Sequence, residues 1–443
     1  MANEREIAQN SPESVAPLAL ASSVGELDTN GLTMLDEGGV SSARGFSAVG
    51  IHAGFRPDPN RLDFGLVAAD APCAAAAVFT QNVFCAAPVT VSRRHLDGVS
   101  YGIARAVAIN SGNANAATGS IGLETAESSA ALVADALGCT ANEVLVASTG
   151  VIGVHLDLAP FASGAPKAAA QLSREGGASA ARAIMTTDTH PKQAGVTFSG
   201  DGIGYPGCTF TVGGMSKGSG MIMPNMATMI AVITTDAPIC ADVLHEALLK
   251  AVGRSFNKIT VDSDTSTNDS CFALASGAAA SNGAFFERGS AALELFENAL
   301  TYVCCSLARE MAADGEGATR LVTVRVAGAE SEADADLAAR TVANSPLVKT
   351  AVFGRDANWG RIAAALGRSG ASFAQENVSI DIMGLPVCRN GLTVAFDEEE
   401  ALRRFERPEI DIDVDLGAGG FSTMVWTCDF SYEYVKINGD YRT

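Results

Sequence analysis

Basic residues are scarce in this sequence: 30 lysines and arginines stand against 50 aspartates and glutamates, a formal charge of −20. Nucleic-acid phosphates are bound by basic surface, so that class of partner is disfavoured. Charged residues of both signs make up only 18% and apolar residues 47%, which points to a globular chain with a generous core. The apolar runs are all too short for a membrane span. The opening Met1–Glu6 is acidic and lacks the basic start of a secretory or mitochondrial targeting segment, so the expected location is the cytoplasm. The ten cysteines contain no C-x-x-C pair, and Cys304 and Cys305 are adjacent. That pattern suits neither a disulfide framework nor a zinc site and predicts reduced, mostly buried thiols. The five histidines form no helix-spaced ligand pair, and neither a metal nor a cofactor is implied.

What is present is a layered alternation of short apolar runs and polar, glycine-rich punctuation. Phe64–Ala69, Ala75–Phe79, Val83–Val91, Ala104–Asn110, Val144–Ala147 and Lys258–Asp262 read as strands. So do Leu321–Val326, Val378–Met383, Ile410–Leu416 and Met424–Phe430. Acidic or polar residues at every second place of IDIDVDL and MVWTCDF predict one wet face. Leu123–Leu137, Leu156–Gly177, Ala241–Val252 and Ala291–Ala312 have helical spacing, the last being the longest. Strict βαβα alternation is missing, so a layered α/β (α+β) fold with mixed, mostly antiparallel sheets is expected. A length of 443 residues allows one large domain or about two to three ordinary ones. Residues 1–38 read as a polar, loosely ordered extension.

The chain is organised around Gly213–Asp236, GGMSKGSGMIMPNMATMIAVITTD, read as a glycine-rich turn with one lysine that enters a buried strand at Thr228. A hydroxyl held where a tight loop meets a strand has the rigidity a nucleophile needs. A phosphate loop is rejected because Lys217 lies between Ser216 and Gly218, not in the order Gly-Lys-Ser/Thr. Further polar, glycine-rich blocks stand at Asn110–Gly119, Ala147–Gly153, Thr186–Thr189, Asp262–Asp269 and Asp314–Thr319. With PNMATM, Ser345–Thr350, Asn358–Arg361 and Tyr434–Thr443, this ordered set resembles the ornithine acetyltransferase (glutamate N-acetyltransferase) family from about Gly39 to Thr443.

That resemblance implies an αββα sandwich of the N-terminal-nucleophile, aminopeptidase-like kind. It also implies a precursor that cuts itself between Ala227 and Thr228, giving fragments 1–227 and 228–443, two copies of each. A threonine inside a chain has no built-in base. At a new chain terminus its own α-amine, with a pKa of about 7.7–8.0, can take the hydroxyl proton. The resemblance assigns Thr149 and Gly150 to an oxyanion hole. It assigns Thr186, Lys217, Thr228, Glu316, Asn438 and Thr443 to substrate binding. Lys217 suits a carboxylate, and Glu316, whose flanking Gly315 and Gly317 leave its backbone exposed, suits an amine. The expected substrates are N2-acetylornithine and glutamate; use of acetyl-CoA as a second donor stays open. Asp188 and Asp264 are secondary candidates, and the other Asn and Asp residues of 110–115 and 262–269 are expected to scaffold loops. Ala117 and Ser263 replace a cysteine and a glycine common in the family. The alternatives are an N-terminal-nucleophile amidase or aminopeptidase, which would hydrolyse, and a non-catalytic scaffold, which would stay uncut.

Overall fold

The structure, a computed structural model, describes residues 16, 18, 27–223, 229–280 and 283–440. They divide into two compact units, one formed by Leu27–Ala318 with Tyr432–Thr443 and the other by Met1–Glu26 with Thr319–Ser431.

The strands of the larger unit are β1 (Leu32–Met34), β2 (Phe46–Ile51), β3 (Phe64–Phe79), β4 (Tyr101–Asn113), β5 (Val144–Val151), β6 (Lys192–Ser199), β7 (Thr209–Lys217), β8 (Ile230–Thr235) and β9 (Ser270–Ala275). They hydrogen-bond in the order β1-β6-β7-β8-β9-β3-β4-β5, with β2 also on β3. Only β4–β5 and β8–β9 are parallel among them. β3 shifts register between Ala68 and Cys73, so its first half pairs with β2 and its second half with β9. This lets one hydrogen-bonded set fold into two layers.

Alternation then decides what each face buries. Phe46, Val67, Val107 and Leu145 of one layer meet Met215, Val232 and Phe272 of the other in a shared core. The outer faces are covered by helices. Phe64, Leu66, Ala106 and Val144 pack against Val91 of α1 (Ala87–His95), Val133 of α2 (Gly119–Leu137) and Phe161 of α3 (Ala159–Gln171). A short helix, α4 (Gly177–Ala183), lies on β2. Across the sandwich, α5 (Ala241–Arg254) and α6 (Ala291–Ala313) cover β3, β6, β7 and β9. The expected αββα architecture is therefore the architecture of this unit, with Leu32–Met34 paired to β6 inside the stretch expected to be loose.

Three local expectations differ from the structure. Val83–Val91 is not a strand: the chain turns through 83–86 and enters α1, whose first turn takes Pro88. Lys258–Asp262 is a 3₁₀ turn (Phe256–Lys258) followed by loop. Its backbone serves another segment, with the Val261 N–H donating to the Ile222 carbonyl at 2.6 Å. Gly213–Lys217 is not a turn but the end of β7. Its glycines mark close approach: a Cβ on Gly213 would lie 2.1 Å from the Gly39 carbonyl oxygen, and one on Gly214 2.6 Å from Ile233 Cδ1.

The second unit holds a sheet ordered β13-β12-β11-β14-β10-β15. The strands are β10 (Leu321–Ala329), β11 (Ser379–Ile382), β12 (Leu385–Arg389), β13 (Leu392–Thr393), β14 (Glu409–Asp415) and β15 (Phe421–Cys428). One face buries Val324, Ile380 and Ile412 with residues of α7 (Glu332–Ala343), α8 (Pro346–Phe353) and α9 (Trp359–Gly367). The other carries the half-buried aspartates of β14, with Arg325 2.9 Å from Asp411 and 3.1 Å from Asp413. It is not the wet face expected of β15: Trp426 and Cys428, like Asp381 of β11, are buried on it. A short helix, α10 (Glu398–Arg404), precedes β14, and α11 (Tyr432–Asp440) returns to the larger unit.

All ten cysteines are unbridged, and six of them are buried. No described helix is long and apolar enough to cross a membrane.

Candidate active site

A cleft of about 620 Å³, counting its open mouth, lies in the larger unit. Its walls include Thr149, Gly150, Thr186, Thr187, Lys217, Gly220, Ser266, Glu316 and Asn438. Six of the residues singled out in the sequence thus meet in one place, although they are spread over almost 300 positions of the chain. Ala227, Thr228 and Thr443 lie outside the described residues.

Thr149 and Gly150 close β5. Gly150 has φ +136°, a region that disfavours side chains, and a Cβ there would stand 2.3 Å from the Gly112 carbonyl carbon. The strand end is pinned from two sides. The Ser148 hydroxyl donates to Asn110 Oδ1 at 2.6 Å. Asn268 Nδ2 donates to the carbonyls of Ser148 and Ala114 at 2.8 and 2.6 Å. The asparagine blocks expected to scaffold loops do so here with buried side chains.

Two aspartates of the 262–269 block hold the chain on either side of 224–228. Asp262 accepts from the N–H groups of Met221 and Ile222 at 2.6 and 2.8 Å. Asp269 accepts from the Met229 N–H at 2.7 Å. Burial pushes both carboxyls up, Asp269 well above its ordinary range despite the Met229 bond and the Lys217 charge. Ser263 stands at φ +71°, a conformation suited to the glycine it replaces.

Lys217 is buried at the end of β7, on the face that Met215 turns to the inter-sheet core. Burial pulls its ammonium below the ordinary lysine range, and Asp188, followed by Asp269 and Glu316, opposes that pull. Glu316 is buried, in the turn that follows α6. Asn438 Nδ2 of α11 donates to its Oε2 at 2.8 Å, and Gly220 is pressed against it, with no room for a Cβ within 2.3 Å of the carboxyl carbon. Of the secondary candidates, Asp264 is exposed and Asp188 is buried beside the cleft.

Lys192 escaped the sequence reading. It opens β6 fully buried, 2.8 Å from Asp188 Oδ1 and 2.6 Å from Asp314 Oδ2. A lone lysine at a strand start has no spacing signal; only its proximity to the Thr186–Thr189 block pointed that way. Among the described residues, no cluster of His, Cys, Asp and Glu is arranged to hold a metal ion.

The cleft thus sets hydroxyl and backbone donors, one buried cation and one buried carboxylate against one another in an αββα sandwich, the make-up of an enzyme site rather than of a structural cavity. The sequence matches the ArgJ family model over residues 47–443. It is 50% identical over 407 residues to the arginine biosynthesis bifunctional protein ArgJ of Symbiobacterium thermophilum, covering 92% of this chain and 99% of that protein. The chloroplastic ArgJ of Oryza sativa subsp. indica is 45% identical over 414 residues, 92% of this chain and 88% of that one. Among solved structures, ornithine acetyltransferase from Mycobacterium tuberculosis complexed with ornithine aligns with TM-score 0.40 at 37% identity, over 45% of this chain and 99% of that chain. The chain belongs to the ArgJ family and is an acyltransferase.

Proposed function

We propose that the enzyme moves an acetyl group from N2-acetylornithine to glutamate, giving ornithine and N-acetylglutamate, through an ester on Thr228. The observation that carries this reading is the cleft itself, which combines Thr149 and Gly150 with Lys217 and Glu316.

The chain first cuts itself between Ala227 and Thr228. The Thr228 amine then accepts the proton of its own hydroxyl as the oxygen attacks the acetyl carbonyl. The Thr149 hydroxyl and Gly150 N–H hold the oxyanion. Collapse breaks the C–N bond, and ornithine leaves with the proton carried by the Thr228 ammonium. Glutamate attacks the ester with its free amine, and the steps run in reverse to restore the hydroxyl. Lys217 holds a substrate carboxylate, while Glu316, kept in place by Asn438, meets the ornithine side-chain ammonium. Thr186 and Thr443 complete the binding set. This cycle calls on no metal or cofactor.

The fragments 1–227 and 228–443 stay joined because β7 and β8, on opposite sides of the cut, pair from Val212↔Thr235 to Lys217↔Ile230. Two copies of each fragment and a cytoplasmic location complete the reading.

Intact mass under denaturing conditions tests it. Two fragments are expected, the second beginning at Thr228, with Thr228→Ala uncut. The cut enzyme should then form N-acetylglutamate from N2-acetylornithine and glutamate; a folded, uncut wild-type chain sinks the mechanism. Release of free acetate without transfer would favour a hydrolase instead. A parallel assay with acetyl-CoA and glutamate decides whether the second activity is present.

A further inference from the structure

Three cleft-lining segments meet in a buried charge cluster behind the pocket. Asp188 lies at its centre, with its side chain wholly shielded from solvent. Its Oδ1 accepts from Lys192 Nζ at 2.8 Å and from the Gly218 N–H at 2.7 Å, and its Oδ2 accepts from the Thr186 N–H at 2.9 Å. Lys192 also binds Asp314 at 2.6 Å. Asp314 in turn accepts from the Thr189 N–H at 3.0 Å, and its carbonyl accepts from the Ser219 hydroxyl at 2.6 Å. Residues 186–192, 217–220 and 314–316 are thereby tied to one another.

The charges are shared unevenly. Lys192 has two carboxylates within ion-pair distance, Asp188 and Asp314. Lys217, desolvated and repelled by Lys192, has Asp188 as its leading attraction, ahead of Asp269 and Glu316. His190 sits 3.6 Å from Asp314 and 3.1 Å from Glu310. Burial would raise the Asp188 carboxyl, but the charges of Lys217 and Lys192, with the Lys192 and Thr186 hydrogen bonds, hold it well below the usual carboxylate range.

We propose that Asp188 is a positioning residue for the transfer reaction: by accepting from the Thr186 and Gly218 N–H groups and pairing with Lys192, it fixes Thr186 and the end of β7 that carries Lys217, and sets a counter-charge behind the buried Lys217 where that side chain meets the substrate carboxylate. This rests on the reading of Lys217 as the carboxylate holder. Without the Asp188 charge, burial and the Lys192 charge act on Lys217 with less opposition, so Lys217 gives up its proton at lower pH. Substrate binding is then lost as the pH rises, and is recovered as it falls.

The experiment is the pH profile of acetyl transfer to glutamate between pH 6 and 8.5 for wild type and Asp188→Asn, normalised to cut chain by intact mass. In the variant kcat/KM is expected to fall about tenfold or more at the alkaline end and to climb back toward the wild-type value at the acid end, a displacement of about one pKa unit or more. The loss should appear in KM, with kcat little changed. A variant equal to wild type throughout, or one depressed by the same factor at every pH, overturns the proposal, because a purely structural role gives no pH-dependent recovery. Should the variant not fold, the wild type still decides: KM for glutamate is expected to be flat from pH 6 to 8, and a KM that rises across that window shows Lys217 losing its proton with Asp188 in place and overturns the idea. Cut wild type that transfers no acetyl group at any pH removes the underlying reading, and the proposal with it.

Discussion

At the scale of single residues, binding and chemistry fall to different side chains in the proposed cycle. Thr149→Ala removes a donor needed only when the oxyanion forms, so kcat should drop about 10²–10³-fold with KM little changed. Lys217→Met removes a charged partner of the ground state, and KM should rise about 10- to 100-fold. Steady-state kinetics with N2-acetylornithine and glutamate separate the two. Asp188 also contributes to stability. Its folded pKa is lowered, so its contribution is present above the unfolded carboxylate pKa of about 3.9 and fades as pH falls through the folded value. The gap in Tm between wild type and Asp188→Asn should therefore be widest near neutrality and narrow below about pH 4; a gap constant down to pH 2 would contradict it. Thr149, Gly150, Lys217 and Glu316 were legible as types in short polar blocks. The burial of Glu316 and the part played by Lys192 were not, because both depend on which segments the fold brings together rather than on spacing.

Elements were readable where periodicity was long and unbroken. α2, α5 and α6 carry helical apolar spacing over several turns, and the alternation of β14 matches its buried and charged faces. The misread stretches were short apolar runs whose backbone partners lie elsewhere. Val83–Val91 has the residues of a strand, but its second half is taken by a helix beginning around Pro88. β7 was obscured by Gly213 and Gly214, which look like turn residues until Gly39 is seen against one and Val303 and Leu307 of α6 against the other. The tightness of that contact is testable. Gly213→Ala places a Cβ against backbone that no rotamer change can move, so a loss of about 1–3 kcal/mol is expected in denaturant unfolding. An unchanged midpoint would mean that β7 is not packed as described.

For the whole molecule, two compact units imply that a single cooperative transition should not describe unfolding. Calorimetry is expected to resolve two transitions. Ornithine at about 100 times its Kd should raise only the one belonging to the cleft-bearing unit, by about 2.7 kcal/mol or a few degrees. One transition, or an equal shift of both, would count against this division. The sequence showed room for more than one domain, but the polar, glycine-rich block Asp314–Thr319 at the boundary reads as one site loop among several, so nothing set it apart as a linker.

The larger unit is discontinuous in sequence: its main body ends at Ala318, and α11 rejoins it only after residues 319–431. Asn438, which restrains Glu316 in the cleft wall, is therefore made only after the whole of residues 319–431. A nascent chain can bury its sandwich core long before it can hold that carboxylate in place. Completion of the cleft wall is in this way timed by translation, and a chain stopped short of α11 is left with an unfinished cleft however well its core has folded.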